Sequence, residues 1–172
     1  MIKEIVQVWD PMLFEIAKEV ESLKDLETID CIQDLKDTLE NTWRGVWLAA
    51  PQIGRSLRIF IIHPRPTSNY PTQKDEWKII IINPKIIARS EEVVVWYEWC
   101  LSISSQNWEW MMRAKVPRYK WVQAMYTNEW WEYITRHFEW FASIIFQHEY
   151  DHLDWILFLE RVEDWKSLRS DR

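Results

Sequence analysis

The chain has 172 residues, 48% of them hydrophobic, which is enough for one domain with a real core over positions 1–172 and asks for no linker. Its net charge of −6 argues against a general nucleic-acid binder, so no direct base readout is expected. No apolar stretch approaches the roughly 18 uncharged residues of a membrane span, and the first residues lack the apolar core of a signal peptide. Two cysteines, Cys31 and Cys100, are too few for a disulfide framework, and a reducing, cytoplasmic setting is expected. Composition departs from the ordinary at one point. There are 14 Trp and only 2 Gly, where an average chain carries Gly at about 7%.

In chain order, positions 10–23 begin with Asp10-Pro11, a good helix start, and then space apolar residues helically, which predicts a short amphipathic helix. A longer helix is expected over 28–41, with Ile29, Ile32, Leu35 and Leu39 as its stripe and Cys31 as a buried structural thiol. The segment from Gly45 to Gly54 follows. Its small residues let backbone approach a ligand, and Gln52 carries an amide that can donate to an oxyanion. Taken alone the motif is weak and reads first as a surface loop entering a strand.

Strands are then predicted at 57–63, 79–83, 86–88, 93–97, 114–118, 121–126 and 132–136 from their β-branched content and flanking turn residues. A polar connection at 68–78 carries no chemistry of its own. Between two strands, Glu98-Trp99-Cys100-Leu101-Ser102 reads as a short polar corner holding a thiol. A long helix closes the series. Strands grouped first and the key helix last predict an α+β fold, antiparallel sheets packed around that helix.

That helix contains Gln147-His148-Glu149-Tyr150-Asp151-His152. Imidazoles four residues apart lie on one helical face and can bind one metal, while Glu149 beside them can act as a base without ligating. Cys100 added to His148 and His152 gives three protein ligands with one position open, as in catalytic sites. His63 and His137 have no such company and are read as non-ligands. Asp151 points away from the ligand face and is expected to pair with a basic residue such as Arg118.

Together, Gly45 to Gln52, Glu98 to Ser102 and Gln147 to His152 resemble the three signature motifs of the peptide deformylase family, G-x-G-L-A-A-P-Q, E-G-C-L-S and Q-H-E-x-D-H. The resemblance implies hydrolysis of the formyl group from N-formyl-methionyl ends of new polypeptides, in bacterial cytoplasm or an organelle. It implies Cys100, His148 and His152 as metal ligands, with Fe(II) the expected ion and Ni, Co or Zn accepted. It makes Glu149 the general base and then acid, and Gln52 with the Leu101 N–H the oxyanion donors. Gly45, Val46, Phe141, Ile144 and Ile145 would line the substrate pocket, with Arg113 near the bound peptide. Transient contact with the ribosome is compatible with such a substrate, although the mixed charges after Arg161 add little support.

Trp47, Trp99 and Trp155 stand where the family has glycine, and Trp43, Trp96, Trp108, Trp110, Trp130, Trp131, Trp140 and Trp165 also fall in turn-like or polar surroundings. At a helix C′ position any residue but glycine costs about 1 kcal/mol or more. Indoles at 47 and 99 would crowd the oxyanion hole, giving impaired turnover or folding. The alternative is therefore a non-catalytic metal- and peptide-binding protein with its pocket blocked by Trp47 and Trp99. A zinc endopeptidase fits less well, because a Cys ligand and an oxyanion glutamine are unlike that class.

Overall fold

Runs of isoleucine, valine and aromatic residues, which suit a pleated surface, set the architecture. The computed structural model of the protein describes residues 1–42, 45–66, 78–104 and 110–171. Among these the main elements are α1 (Leu26–Asn41), β1 (Trp47–Ala49), β2 (Ile59–Ile62), β3 (Ile79–Arg89), β4 (Val93–Ser104), β5 (Met111–Tyr119), β6 (Trp121–Thr127), β7 (Tyr133–Glu139), α2 (Phe141–Leu153) and β8 (Arg169–Asp171). One antiparallel sheet has the order β1-β2-β3-β6-β7 and a second the order β4-β5-β8. Helix α2 packs on β1, β2, β6 and β7 of the first sheet and on β5 of the second. Whatever α2 carries is thereby enclosed by both sheets.

This is the α+β arrangement expected from the sequence, with several differences in detail. Helix α2 has 13 residues and is shorter than the 16-residue α1, so the helix expected to be long is not. It is buried along most of its length, including the stretch from Ser143 to Glu149. Phe146 packs edge-to-face against Phe60 of β2 at 5.4 Å and at a tilt against Phe138 of β7 at 4.7 Å, anchoring the helix to the larger sheet. Each such buried ring contributes about 1.5–3 kcal/mol relative to exposure.

Positions 10–23 do not form the expected helix. A single 3-10 turn, Pro11–Phe14, is capped by Asp10, and the chain then runs extended. The backbone there finds partners elsewhere: Ala17 N–H donates to Leu153 O at 2.9 Å, and Val20 N–H to the Asn83 side chain at 2.9 Å. Bonds to an already formed framework win over a short helix whose nucleation is unfavourable. On α1 the stripe is shifted from the expected one: Ile29 is exposed, whereas Thr28, Cys31, Leu35 and Leu39 face the core.

The strands expected at 79–83 and 86–88 are one strand, β3, because Asn83-Pro84 makes a bulge rather than a break. Asn83 takes φ 49° there, and its amide accepts from Val20 N–H while donating to Val20 O. The supposed polar corner around Cys100 is also strand. β4 runs unbroken through it, and residues 98–104 are all buried. Such a run, covered on both faces, lacks the alternation from which a half-exposed strand is read. Of the polar connection expected at 68–78, positions 68–77 lie outside the described residues.

Several tryptophans occupy glycine-like backbone. Trp131 has φ 65°, Trp140 φ 52° and Trp155 φ 58°, and Trp9 joins them at φ 90°. Trp155 is the residue after the C-cap of α2, as expected. The left-handed region costs an L-residue roughly 1–2 kcal/mol, so these positions hold strain that glycine would not.

Candidate metal centre

The site is assembled from β4 and α2, with one residue from the 3-10 turn Ala50–Ile53 that follows β1. Alternate residues of a strand share a face, and along β4 Glu98 meets His148, Cys100 meets His152, and Ser102 meets Gln52. Donor atoms of Cys100, His148 and His152 lie within 4.8 Å of one another, and all three residues are buried. The sulfur of Cys100 is 3.2 Å from His152 Nε2. Glu149, fully buried, places Oε1 3.8 Å from His148 Nε2.

The His148 ring is oriented by what lies behind it. His148 Nδ1 sits 2.8 Å from Glu98 Oε2, and the Glu98 carboxylate is gripped by Arg118 through Nε at 2.7 Å and Nη2 at 2.9 Å. An ionised carboxylate only accepts, so Nδ1 carries the proton and Nε2 turns its lone pair into the site. Burial pushes the Glu98 carboxyl up, but Arg118 and His148 outweigh it and hold Glu98 at about 2. Arg118 Nη1 also donates to Asp151 at 2.6 Å, the pairing expected for Asp151.

Several polar atoms around the rings are unsatisfied, His148 Nε2 on the site side and His152 Nδ1 on the edge away from Cys100. Among the described residues, His148 Nε2, His152 Nδ1 and both Glu149 carboxylate oxygens are buried without a hydrogen-bond partner. Burial, and secondarily the nearby charge of Glu98, raise the Glu149 carboxyl well above its usual range. Burial followed by the neighbouring His148 lowers His152, which keeps its imidazole neutral. Burial, with the Glu149 charge, raises the Cys100 thiol. An ion among these groups would act in the opposite direction on the thiol, converting it to thiolate. A buried thiol and two imidazoles whose donor atoms converge, beside a carboxylate with no partner, fit a divalent metal.

Gln52 completes the front. Its Oε1 accepts from Ala49 N–H at 2.8 Å, which turns the amide NH2 toward Cys100 Sγ at 3.3 Å and Ser102 Oγ at 3.2 Å. Leu101 lies beside Cys100 in a stretch where β4 is out of register with β5, between the pairs Trp99↔Arg113 and Ser104↔Met111. Val46 and the rest of the segment through Ile53 are buried, so the surface-loop reading does not hold. Gly45 is required sterically: a Cβ there would stand 2.5 Å from Thr42 Oγ1.

Phe141, Ile144 and Ile145 lie in the first turns of α2, upstream of His148. Phe141 packs on Trp47 at 5.9 Å, whereas Ile145 belongs to the main core cluster. Arg113 is across from Trp99 on β5, with its guanidinium 5.6 Å from the Tyr97 ring. The two indoles expected to crowd the pocket are both buried there, 5.4 Å apart, and Trp47 is 5.9 Å from the His148 ring. His137 stacks on Trp121 at 5.1 Å.

Three contributors escaped the sequence reading in these roles: Glu98 behind His148, Ser102 beneath Gln52, and Arg161 on Asp151. Two of them carried a usable signal, because Glu98 and Ser102 flank Cys100 by two residues and so share its strand face. Arg161 had none.

A thiol, two imidazoles and a free carboxylate between antiparallel sheets form a candidate centre of the metal-hydrolase type. The polypeptide deformylase family model matches residues 2–168. The chain belongs to that family. It is 36% identical over 159 residues to peptide deformylase 2 of Nostoc sp., covering 92% of this chain and 85% of that protein. It is 38% identical over 162 residues to the peptide deformylase of Pseudothermotoga lettingae, covering 94% and 84%. Among solved structures, the class I type b peptide deformylase from Acinetobacter baumannii with Met-Ala-Ser bound superposes with a TM-score of 0.83 at 30% identity, over 94% of this chain and 99% of that one. The Thermotoga maritima peptide deformylase gives 0.79 at 30% identity, over 95% and 99%. Nothing in these likenesses favours the non-catalytic alternative. Among the described residues no helix is long and apolar enough to cross a membrane.

Proposed function

We propose that this chain removes the formyl group from N-formyl-methionyl ends of newly made polypeptides, using Cys100, His148 and His152 to hold a divalent metal and Glu149 to move the proton. The observation that carries the reading is the convergence of three buried donors beside a carboxylate whose two oxygens have no other partner. Mixed sulfur and nitrogen donors suit ferrous iron, and also nickel, cobalt or zinc. When bound, the ion supplies a Lewis acid that acidifies water and polarises the formyl carbonyl.

The remaining work falls to side chains. Glu149 takes the proton of the attacking water and returns it to the departing amine, and its raised affinity for protons suits both steps. Gln52 Nε2, fixed by the Ala49 N–H, donates to the oxyanion, with the Leu101 N–H as a second donor. Val46 and the first turns of α2 receive the methionine side chain, Gly45 lets the segment that carries Val46 pack close against Thr42, and Arg113 flanks the extended peptide. The substrate places the enzyme where chains emerge from a ribosome, in bacterial cytoplasm or an organelle, and residues 1–172 act as a single catalytic domain.

The test is turnover of formyl-Met-Ala-Ser by protein loaded with Fe(II) without oxygen, or with Ni(II). Release of the free amine is expected, and Glu149→Ala is expected to abolish it with one metal per chain retained. Stoichiometric metal without turnover in the parent protein would reject the reading.

A further inference from the structure

Behind His148, charges alternate in an unbroken chain that ends at the surface. Glu98 accepts from His148 Nδ1 and from two nitrogens of Arg118. Arg118 turns its third nitrogen to Asp151 Oδ2 at 2.6 Å. Asp151 is then gripped by Arg161, with Nε to Oδ2 at 3.1 Å and Nη2 to Oδ1 at 2.9 Å. The Glu98, Arg118 and Asp151 side chains are at most 8% exposed, whereas that of Arg161 is 44% exposed. Two carboxylates and two guanidiniums balance. Remove Arg161 and Arg118 alone must serve both carboxylates, one on either side of it.

We propose that Arg161, at the end of the 3-10 turn Phe158–Arg161, is a positioning residue for the metal centre: by satisfying Asp151 it keeps the Arg118 fork on Glu98, and so keeps His148 Nε2 aimed at the ion. The inference rests on the reading of Cys100, His148 and His152 as ligands. The physical cause is competition within a buried network. A planar guanidinium with two bonds to one carboxylate and one to another is held by the balance between them, and an under-neutralised Asp151 pulls it away from Glu98. Partners behind a metal-binding imidazole typically govern 10–100-fold in affinity. Arg161 stands three links beyond Glu98 and is partly solvated, so about three- to tenfold is expected.

The test uses the cobalt(II)-loaded chain, read by its thiolate-to-cobalt absorption and by the rate of cobalt release to a chelator. Arg161→Ala is expected to release cobalt about three- to tenfold faster, and Arg161→Lys, which keeps the charge, to recover at least half of that loss. Should the alanine variant not fold, Arg161→Gln is read against the same threshold. Release within twofold of the parent for the neutral variants overturns the proposal, whatever their melting temperatures. Acceleration that lysine does not reduce overturns it equally. A parent protein without the thiolate band would instead overturn the ligand assignment itself, and the two failures are thereby distinguished.

Discussion

The two sides of His148 are built on opposite rules. Behind it, Glu98, Arg118, Asp151 and Arg161 pair with one another through short, mostly two-pronged bonds. In front, His148 Nε2 and both Glu149 oxygens are buried with no hydrogen-bond partner. Satisfied buried polar groups fix geometry, whereas unsatisfied ones raise the energy of the empty site and are reserved for something that arrives. The contrast shows how one imidazole can be held rigid while remaining reactive.

The largest effect is expected from the front. Gln52→Ala removes the oxyanion donor and should lower kcat by roughly 10²–10³-fold with KM little changed. A loss appearing in KM alone would show that Gln52 serves binding rather than the transition state. Next comes the back: Glu98→Gln deprives Arg118 of a charged, two-oxygen partner and leaves one acceptor oxygen for Arg118 and His148 to share. About 10–100-fold weaker metal binding is expected. A stability loss of roughly 3–5 kcal/mol should accompany it, measurable by chelator competition and urea unfolding of the metal-free chain.

Acid sharpens the same contrast. Because Glu98 is held at about 2 against an ordinary 4.5, its contribution to stability is complete above pH 4.5 and drains away as pH falls toward 2. The metal-free parent should therefore lose stability across that window more steeply than Glu98→Gln. Parallel acid profiles would show that the pairing behind His148 is not what holds the fold. The smallest effect lies outside the site, where strain has no chemical use. Trp155→Gly, at φ 58°, should raise stability by about 1 kcal/mol. On a chain of this size that is roughly 2–4 °C in Tm.

The candidate site was legible where chemistry follows local spacing. His148, Glu149 and His152 are readable because a helix puts i and i+4 on one face, and Cys100 and Gln52 followed through their motifs. The strand that carries Cys100 was not readable, because residues 98–104 are buried on both faces and mix acid, thiol, hydroxyl and indole without alternation. The helix expected at 10–23 failed for a related reason: its backbone bonds to Leu153, Ser56 and Asn83, none of which a local window can see. Arg161 sits ten residues beyond Asp151 in a stretch of mixed charge, where only the closed fold reveals its partner. The α+β class survived these errors because the β-branched runs and the final helix were each recognisable alone.

β4 delivers a carboxylate, a thiol and a hydroxyl from positions 98, 100 and 102, each to a different partner. A slip of that strand by a single residue would turn all three away together. Misregistration of this strand would therefore remove the sulfur, the acceptor behind His148 and the hydroxyl beneath Gln52 in one step. A chain with β4 out of register would keep only the two imidazoles of α2 as donors, and so should hold an ion more weakly than the native one.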